Sequence, residues 1–281
     1  MARILLLAGL GAAALAALQL VKRSSDEQQA RGAWRRLASA ANSARTSFDP
    51  ALVAGLPEPA QRFLRFAIAP GAGLGSVVKI TMDGELALGT KKQPRYQPMR
   101  AQQLLAPPHG LVWCVRSGKG ALRITGSDAM VADRSWTRFW LLGAIPVVRA
   151  GGNLDHLRSS FGRVVAEAAF WAPASLLPQA GVEWAALDAD TARATVRHSG
   201  LHQQVDIRVN ADGQPAWVRL ARWSNANRQR VFREQPFGGE LSDFRSVQGF
   251  RVPFRVDGGN FFGTPDYFPF YRARVLTWRV L

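Results

Sequence analysis

The sequence is short of the residues from which metal sites and disulfide frameworks are built. It contains one cysteine, Cys114, and four histidines among 281 residues. A single cysteine cannot form an internal disulfide or supply a cysteine-based zinc site. Because Cys114 lies between Trp113 and Val115, we expect a buried, unreactive thiol. We predict no bound metal ion.

The sequence also lacks the motifs of nucleotide-binding and hydrolytic enzymes. The glycines at 71, 73 and 75 follow a predicted helix and lack the spacing of a dinucleotide fingerprint, so they predict a flexible connector. Residues 117–120 lack the upstream glycine of a phosphate-binding loop and predict a hairpin turn. No serine stands in a nucleophile elbow. We predict no cofactor.

One group of polar residues has two interpretations. His198 and His202 bracket a predicted turn, and Asp206 shares a strand face with His202, so the three could hold a metal. Their spacing matches no known metal motif, which favours a polar, solvent-facing strand. His109 and His156 are isolated in the sequence.

Acidic residues are outnumbered, with 20 Asp and Glu against 36 Lys and Arg, for a net charge of +16. Such a balance permits binding to anionic lipid headgroups or to nucleic acid. The basic residues are dispersed along the chain, as is typical of solvent-facing positions. No ordered platform of aromatic and basic residues is present, and we predict no nucleic-acid partner.

The N-terminus carries the longest apolar run. Residues 4–21 form a nearly unbroken stretch of 18 residues, preceded by Arg3 and followed by Lys22 and Arg23. This length is at the lower limit for a spanning helix and slightly above that of a signal-peptide core. Residues 1–23 therefore predict a membrane anchor or a signal segment that places the protein in the bacterial cell envelope, membrane-anchored or exported.

Two further segments follow from composition. Residues 24–47 are polar and alanine-rich, with Trp34 and Leu37 in helical phase, and predict a helical linker. Residues 48–281 predict a single β-rich domain.

Strands dominate this domain. Apolar and polar residues alternate along residues 78–88, as in an antiparallel strand with one wet face, and similar stretches recur at intervals typical of a sandwich or barrel. The apolar residues 139–148 contain a proline and predict a short helix or a hydrophobic loop over the sheet. The predicted fold is mainly β, of the α+β class: a strongly curved antiparallel sheet or incomplete barrel with a few helices packed on it.

The most regular helix pattern begins at Leu154. Asn153 is suited to cap it, and Pro173 is expected to end it near Ala172. Arg163 and Glu167 are four residues apart on this helix. If the pair is exposed it contributes little to stability; if it faces the sheet it is a candidate ligand contact.

Tryptophan is abundant, with nine residues in the chain. One interpretation is that the tryptophans fill a large β core. The other is that the sheet has an aromatic concave face, covered by the central helix, that holds an acyl chain or another apolar molecule. In that case the predicted groove residues are Trp113, Trp136, Trp140, Arg163, Glu167, Trp171 and Trp184.

Several stretches together resemble an uncharacterised bacterial family of unknown function, over about residues 50 to 281. They are Leu56-Pro57, Met82-Asp83-Gly84-Glu85, Arg163 with Glu167, Trp171-Ala172-Pro173, Leu176-Leu177, Trp184, Gly249-Phe250-Arg251-Val252-Pro253, Tyr267 and Phe270-Tyr271-Arg272. The resemblance implies no activity. By fold analogy alone, the strand-rich layout is similar to the half-barrel of periplasmic lipoprotein carriers.

Three hypotheses follow. The leading one is a non-enzymatic envelope protein that binds a lipid or other apolar ligand and contacts the membrane through its N-terminal segment. The second is a hydrolase-type or other enzyme acting on a lipid-like substrate, which requires Arg163, Glu167 and a histidine to meet in one cleft. The third is a structural membrane-associated protein with a filled core. The oligomeric state is not indicated.

Overall fold

A computed structural model describes residues 2–41 and 46–281, and along the first helix it describes the side chains of Ala14 and of residues 16 onward. A single antiparallel sheet of thirteen strands dominates it, which confirms the predicted fold class. The sheet is a meander in the order β6-β5-β4-β3-β2-β1-β13-β12-β11-β10-β9-β8-β7. The strands are β1 Val78–Thr90, β2 Gln93–Ala106, β3 Gly110–Ser117, β4 Ile124–Val131, β5 Arg134–Leu141, β6 Ile145–Gly151, β7 Glu183–Asp188, β8 Thr191–His198, β9 Leu201–Val209, β10 Pro215–Ser224, β11 Arg233–Val247, β12 Phe250–Asn260 and β13 Phe268–Val280.

Three α-helices pack on this sheet: α1 Ala2–Ala38, α2 Glu58–Ala67 and α3 Leu154–Trp171. The Asn153 side chain accepts a hydrogen bond from the His156 backbone N–H at 2.8 Å, so the predicted cap of α3 is confirmed. The helix ends just before Pro173, because the residue preceding a proline disfavours the helical conformation.

The sheet curves around α3. Near one end of the helix, Ser135 on β5 contacts His156. At the other end, the Trp171 indole N–H donates to the Pro253 carbonyl on β12. The β2–β3 and β8–β9 turns also meet, with the His109 and His198 rings 4.9 Å apart. We call the side of the sheet toward α3 the concave face and the other side the convex face.

Helix α1 packs on the convex face. Its buried residues Ala30, Ala33 and Leu37 form a second apolar cluster with strand residues that include Leu104 and Val112. The helix predicted over this region is therefore present. Its role as a linker is wrong for the part up to Ala38, because that part packs onto the sheet; residues 42–45 lie outside the described residues.

Asp26 fixes α1 to the edge of the sheet. Its carboxylate accepts hydrogen bonds from Arg138 at 2.8 Å, from Arg149 at 2.6 and 3.0 Å, and from the Trp140 indole at 3.0 Å. Burial alone would raise the pKa of Asp26, but Arg149 and Arg138 bring it below its ordinary value. The buried carboxylate is thus compensated by two guanidinium groups.

Two other sequence predictions need correction. Residues 139–148 form the end of β5, a tight turn and the start of the edge strand β6, because the apolar run divides at Leu142 and Gly143, both at positive φ. Cys114 is half-buried instead of buried, and burial raises the pKa of its thiol.

The predicted membrane segment falls mostly outside the residues whose side chains are described. Across the described part of the chain, no helix combines the length and the apolar character needed to cross a membrane.

We expect Asp26→Asn to lower the free energy of unfolding by about 3 kcal/mol, because two guanidinium groups then lose their buried counter-charge. Urea unfolding of the full chain in detergent measures this. Glu27→Gln is the matched control, since Glu27 makes an exposed pair with Arg23 that contributes about 0.5 kcal/mol. Equal losses in the two variants would show that Asp26 does not hold α1 in place.

Candidate functional site

Helix α3 presents a polar stripe to the concave face. His156, Ser160, Arg163 and Glu167 are three or four residues apart and so lie along one side of the helix. Ser160 and Glu167 are buried, and His156 and Arg163 are half-buried. Of the two interpretations of the Arg163–Glu167 pair, the structure has the one in which it faces the sheet.

Arg163 is the centre of the stripe. Its Nε donates to Glu167 at 2.6 Å, its Nη1 to Asp128 on β4 at 2.7 Å, and its Nη2 to Gln103 on β2 at 3.3 Å. Gln103 also donates to the second oxygen of Glu167. Burial alone would lower the pKa of Arg163, but Glu167 and Asp128 raise it above its ordinary value, so the residue stays charged.

The sheet supplies these partners from one row across neighbouring strands. Gln103 on β2 is directly opposite Trp113 on β3, Trp113 is opposite Asp128 on β4, and Asp128 is opposite Thr137 on β5. Directly opposite residues in an antiparallel pair share a face, so all four point toward α3.

Trp113 joins this polar row to an aromatic group. The Arg163 guanidinium lies 5.2 Å from the centre of the Trp113 ring, and the rings of Phe139 and Tyr271 lie 6.5 and 6.3 Å from it. Burial raises the pKa of Tyr271, and Glu167 adds to the shift, so its hydroxyl is neutral. The Trp113 indole N–H is buried and has no hydrogen-bond partner among the described residues.

His156 extends the network to the far side. Its Nε2 lies 3.1 Å from the Thr137 hydroxyl, which donates to Asp128 at 2.9 Å, and its Nδ1 lies 2.7 Å from the Ser135 hydroxyl. Since Thr137 gives its proton to Asp128, it accepts from Nε2–H, and Nδ1 accepts from Ser135. Burial lowers the pKa of His156, which keeps the ring neutral near pH 7.

Arg222 on β10 is the cation of this interior that lacks a carboxylate. Its Nε donates to the Ser159 carbonyl at 3.2 Å, and its guanidinium lies 4.7 Å from the centre of the Phe237 ring. It makes no salt bridge with any described residue. Burial lowers the pKa of Arg222 to about 10, with Asp128 opposing the shift and Arg163 adding to it.

A second unsatisfied donor lies beside Arg222. Gln235 on β11 is directly opposite Arg222, and its side-chain amide nitrogen is buried without a partner among the described residues. Its oxygen accepts from Asn227. Buried donors without partners cost free energy, so this region is suited to a group with acceptor oxygens.

Strands β9 and β10 separate next to Arg222. Their pairing ends at Asp206 and Arg219, and beyond it the Gln203 side chain donates to the Ala221 carbonyl at 3.2 Å. A polar cavity of about 130 Å³ lies at this separation. Another, enclosed by Val165 and neighbouring residues, measures about 10 Å³. Ligand pockets for drug-sized molecules occupy roughly 300–1,000 Å³, so neither cavity holds an acyl chain.

Comparison with known proteins identifies the family. The sequence pattern of a family of unknown function, DUF6544, matches residues 46–273. The chain belongs to this family. The resemblance carried by the Arg163–Glu167 stretch and its companions is thereby confirmed.

No curated protein matches this DUF6544 chain. A crystal structure from Vibrio parahaemolyticus, of a domain assigned as an outer membrane lipoprotein-sorting protein, superposes with a TM-score of 0.35 at 9% identity. The superposition covers 73% of this chain and 85% of that domain. A likeness at this level does not establish a shared fold.

The predicted groove residues separate into three groups. Trp113, Arg163 and Glu167 meet in the concave interior as described above. Trp171 and Trp184 also lie on the inner side but at the packed end, where Trp184 donates to the Leu176 carbonyl. Their role in a groove is not supported by any opening there.

The prediction that Trp136 and Trp140 line the groove is wrong. Both point to the convex face: Trp136 packs in the cluster under α1, and Trp140 donates to Asp26. Side chains alternate between the two faces along β5, and Thr137 and Phe139 face inward. Trp136 and Trp140 therefore lie on the outward face of the strand. They are not groove residues.

Sequence reasoning missed Gln103, Asp128, Arg222 and His156 as members of the site. A signal was present for three of them, because each lies on a strand at a position whose neighbours two residues away are apolar and face the core. Gln103 shares its phase with Ala101 and Leu105, Asp128 with Met130, and Arg222 with Val218 and Leu220. A polar side chain at a core-facing position requires a buried partner.

The suggested metal ligands do not form a site. The Asp206 carboxylate accepts from Arg193 at 2.6 Å and from Arg219 at 3.2 Å. Among the described residues, no group of histidine, cysteine and acidic side chains is arranged to hold a metal ion.

We expect Arg163→Met to lower the free energy of unfolding by about 4 kcal/mol, since Glu167 and Asp128 lose their shared cation. Chemical denaturation of the full chain in detergent measures the change. Arg158→Met is the matched control on the same helix: its pair with Glu234 is exposed, and a loss of about 1 kcal/mol is expected. A loss of that size in Arg163→Met would contradict a buried charge network.

The lowered pKa of His156 predicts that the stability of the folded protein depends on pH. Its pKa in the folded protein is below the ordinary value of 6.5. Its contribution to stability is therefore complete above about pH 6.5 and is lost as the pH falls towards the folded-state pKa. The charged groups that influence it are Asp128 and Arg222. Between pH 8 and pH 5.5, thermal unfolding of the native chain should lose more stability than that of His156→Gln.

The exposed His202 provides the control for this measurement. His202→Gln should follow the native pH profile. If His156→Gln also follows it, the ring does not titrate in this way.

Proposed function

We propose that this protein is a bacterial cell-envelope protein that binds one lipid-like amphiphile at the open end of its concave face and catalyses no reaction. The observation that carries the proposal is Arg222, a half-buried cation without a salt bridge to any described residue, next to the Phe237 ring and to the unpaired amide nitrogen of Gln235. A buried cation that lacks a protein counter-charge is suited to an anionic or oxygen-rich headgroup.

The apolar part of such a ligand has a surface at the same end. The aromatic residues Phe139, Phe237 and Tyr271 are half-buried on the concave face, and so is Leu86 beside Tyr271. We call these four residues the aromatic mouth. Leu86 is directly opposite Tyr271 in the sheet, and Arg222 connects the mouth to the polar interior through Phe237. Aromatic walls with a few placed polar groups are typical of ligand sites.

The floor between these walls is bare backbone. Tyr271 is opposite Gly258, and Gly258 is opposite Gly239, so two neighbouring positions on the concave face carry no side chain. A Cβ atom added to Gly258 would meet nothing nearer than a carbonyl oxygen at 3.6 Å. A Cβ atom at Gly239 would meet the Asp257 carbonyl oxygen at 2.5 Å, so the room for a ligand group lies at Gly258.

The packed interior favours a second candidate, a structural membrane-associated protein. Leu157, Phe161, Val164 and Trp171 of α3 are all in the main core, and the two cavities are too small for a chain. This candidate leaves the unpaired Arg222 without a role. The amphiphile-binding proposal accounts for it.

The enzyme hypothesis has partial support. Arg163, Glu167 and His156 do meet in one network, as that hypothesis requires. Of the three hydroxyls beside His156, those of Ser135 and Ser160 are only 4% and 8% exposed, and that of the half-buried Thr137 donates to Asp128. We therefore favour binding without catalysis.

Native mass spectrometry of the full chain released from detergent micelles tests the proposal. We expect one retained lipid on the native protein. Arg222→Met should retain about 10- to 100-fold less, because a hydrogen bond to a charged group contributes roughly 1.5–3 kcal/mol. Gly258→Leu should also lose the lipid by filling the floor.

Arg219→Met is the matched control, on the same strand but paired with Asp206. It should retain the lipid. A native protein without a bound lipid, or equal retention in Arg222→Met, would favour the structural candidate instead.

A further inference from the structure

Exposed apolar side chains are concentrated at one end of the molecule. Of the twelve exposed large apolar side chains among the described residues, eight lie on the β3–β4 loop, the β5–β6 turn with strand β6, or the adjoining part of α1. They are Leu18, Leu20, Val21, Leu122, Leu142, Ile145, Val147 and Val148. Such a concentration marks an interaction surface.

Direct contacts bring these segments together. The Arg23 guanidinium donates to the Gly143 carbonyl at 2.7 Å, and the Leu142 N–H donates to the Arg123 carbonyl at 2.8 Å. We call residues 118–123 and 142–148 the apolar tips. They lie beside α1 at Arg23, just after the apolar N-terminal run ends.

The direction of α1 sets the geometry. The helix packs along the convex face, with Leu37 in the cluster that contains Ala106 and with Asp26 bound to Trp140 near the other strand ends. From Arg23 it continues for 21 residues to Ala2, about 30 Å at 1.5 Å per residue. That segment therefore leaves the domain at the end where the tips lie.

The apolar tips themselves carry charges of one sign. Residues 118–123 and 142–148 contain no aspartate or glutamate. Lys22, Lys119 and Arg123 are exposed, and they form no salt bridge with any residue that the structure describes. Apolar side chains with basic neighbours complement a bilayer surface that carries anionic lipids.

We propose that the apolar tips insert into the surface of an anionic bilayer beside the start of α1, so that the domain is held against the membrane by this end. The apolar N-terminal run extends from the domain beside the apolar tips. A protein partner or a second copy would have to bind at that same end of the domain. An anionic bilayer can bind the apolar N-terminal run, the apolar tips and the three unpaired cations at the same time.

This orientation adds to the proposed function and depends on the proposed location at the membrane. Phe139 of the aromatic mouth is three residues before Leu142 on the same β5–turn segment. The β1–β2, β3–β4, β5–β6 and β12–β13 turns of the meander lie at the same strand ends. The mouth therefore opens toward the bilayer, and an amphiphile passes between membrane and groove without crossing bulk water.

The test uses the full chain in vesicles of phosphatidylcholine and phosphatidylglycerol, in a Cys114→Ser background. Leu142→Cys carries the environment-sensitive fluorophore NBD in one variant. Leu187→Cys carries it in the matched control, because Leu187 is 43% exposed and Leu142 is 45% exposed. Leu187 lies on β7, at the opposite edge of the sheet.

We expect blue-shifted emission at position 142 and at least a two-fold loss of intensity with doxyl-labelled lipids, and neither change at position 187. Vesicles of phosphatidylcholine alone should weaken the quenching at 142. Equal quenching at the two positions would overturn the proposal.

The two proposals can fail separately. A lipid retained in native mass spectrometry with no quenching at 142 refutes the orientation and leaves the binding site standing. Quenching at 142 with no retained lipid supports the orientation and refutes the binding site.

Discussion

The pairing of Arg163 with two carboxylates is the interaction on which the interior depends. A cation at that depth is tolerated only when its charge and its N–H groups are satisfied, and Glu167, Asp128 and Gln103 together do this. Because Glu167 is on the same helix and Asp128 is on β4, the network also fixes how α3 lies against the first half of the sheet.

The second half of the sheet holds α3 in another way. Gly162 faces β9 and β10, where the Gln203 amide and the Arg222 stem approach the helix closely. A side chain at position 162 would press on the Gln203 oxygen 3.0 Å away. The missing side chain therefore lets Arg222 reach the Ser159 carbonyl. Helix α3 thus carries the paired cation Arg163 and faces Arg222 on β10, which has no salt bridge with a described residue.

Local signals in the sequence predicted most of the elements, with residues 139–148 an exception, but they did not predict which face of the sheet each side chain occupies. The cap at Asn153, the stop at Pro173 and the period-two alternation predicted α3 and the curved sheet, because these depend on neighbours in the chain. Trp136 and Trp140 were assigned to the groove because they are aromatic, but a strand buried on both faces has no polar side to reveal its direction. Their face was decided by α1, which covers β5 from outside through Asp26, a contact 114 residues away in sequence.

The sequence signals that Arg222 needs a buried partner, but it does not show which group supplies one. A charged residue in apolar phase signals a buried partner, and for Asp128 the partner exists. For Arg222 no carboxylate of the described residues lies within salt-bridge distance, because Asp128 and Glu167, which act on it from farther away, are both paired with Arg163. A direct counter-charge would therefore come from outside the chain or be replaced by solvent. The aromatic mouth, the bare floor at Gly258 and the basic, apolar tips all lie toward one end of the sheet, and that end is where the apolar start of α1 leaves the domain. These positions are the reason that the proposed ligand is a membrane-derived amphiphile and not a soluble anion, because the chain of an amphiphile needs an apolar surface as much as its headgroup needs a charge.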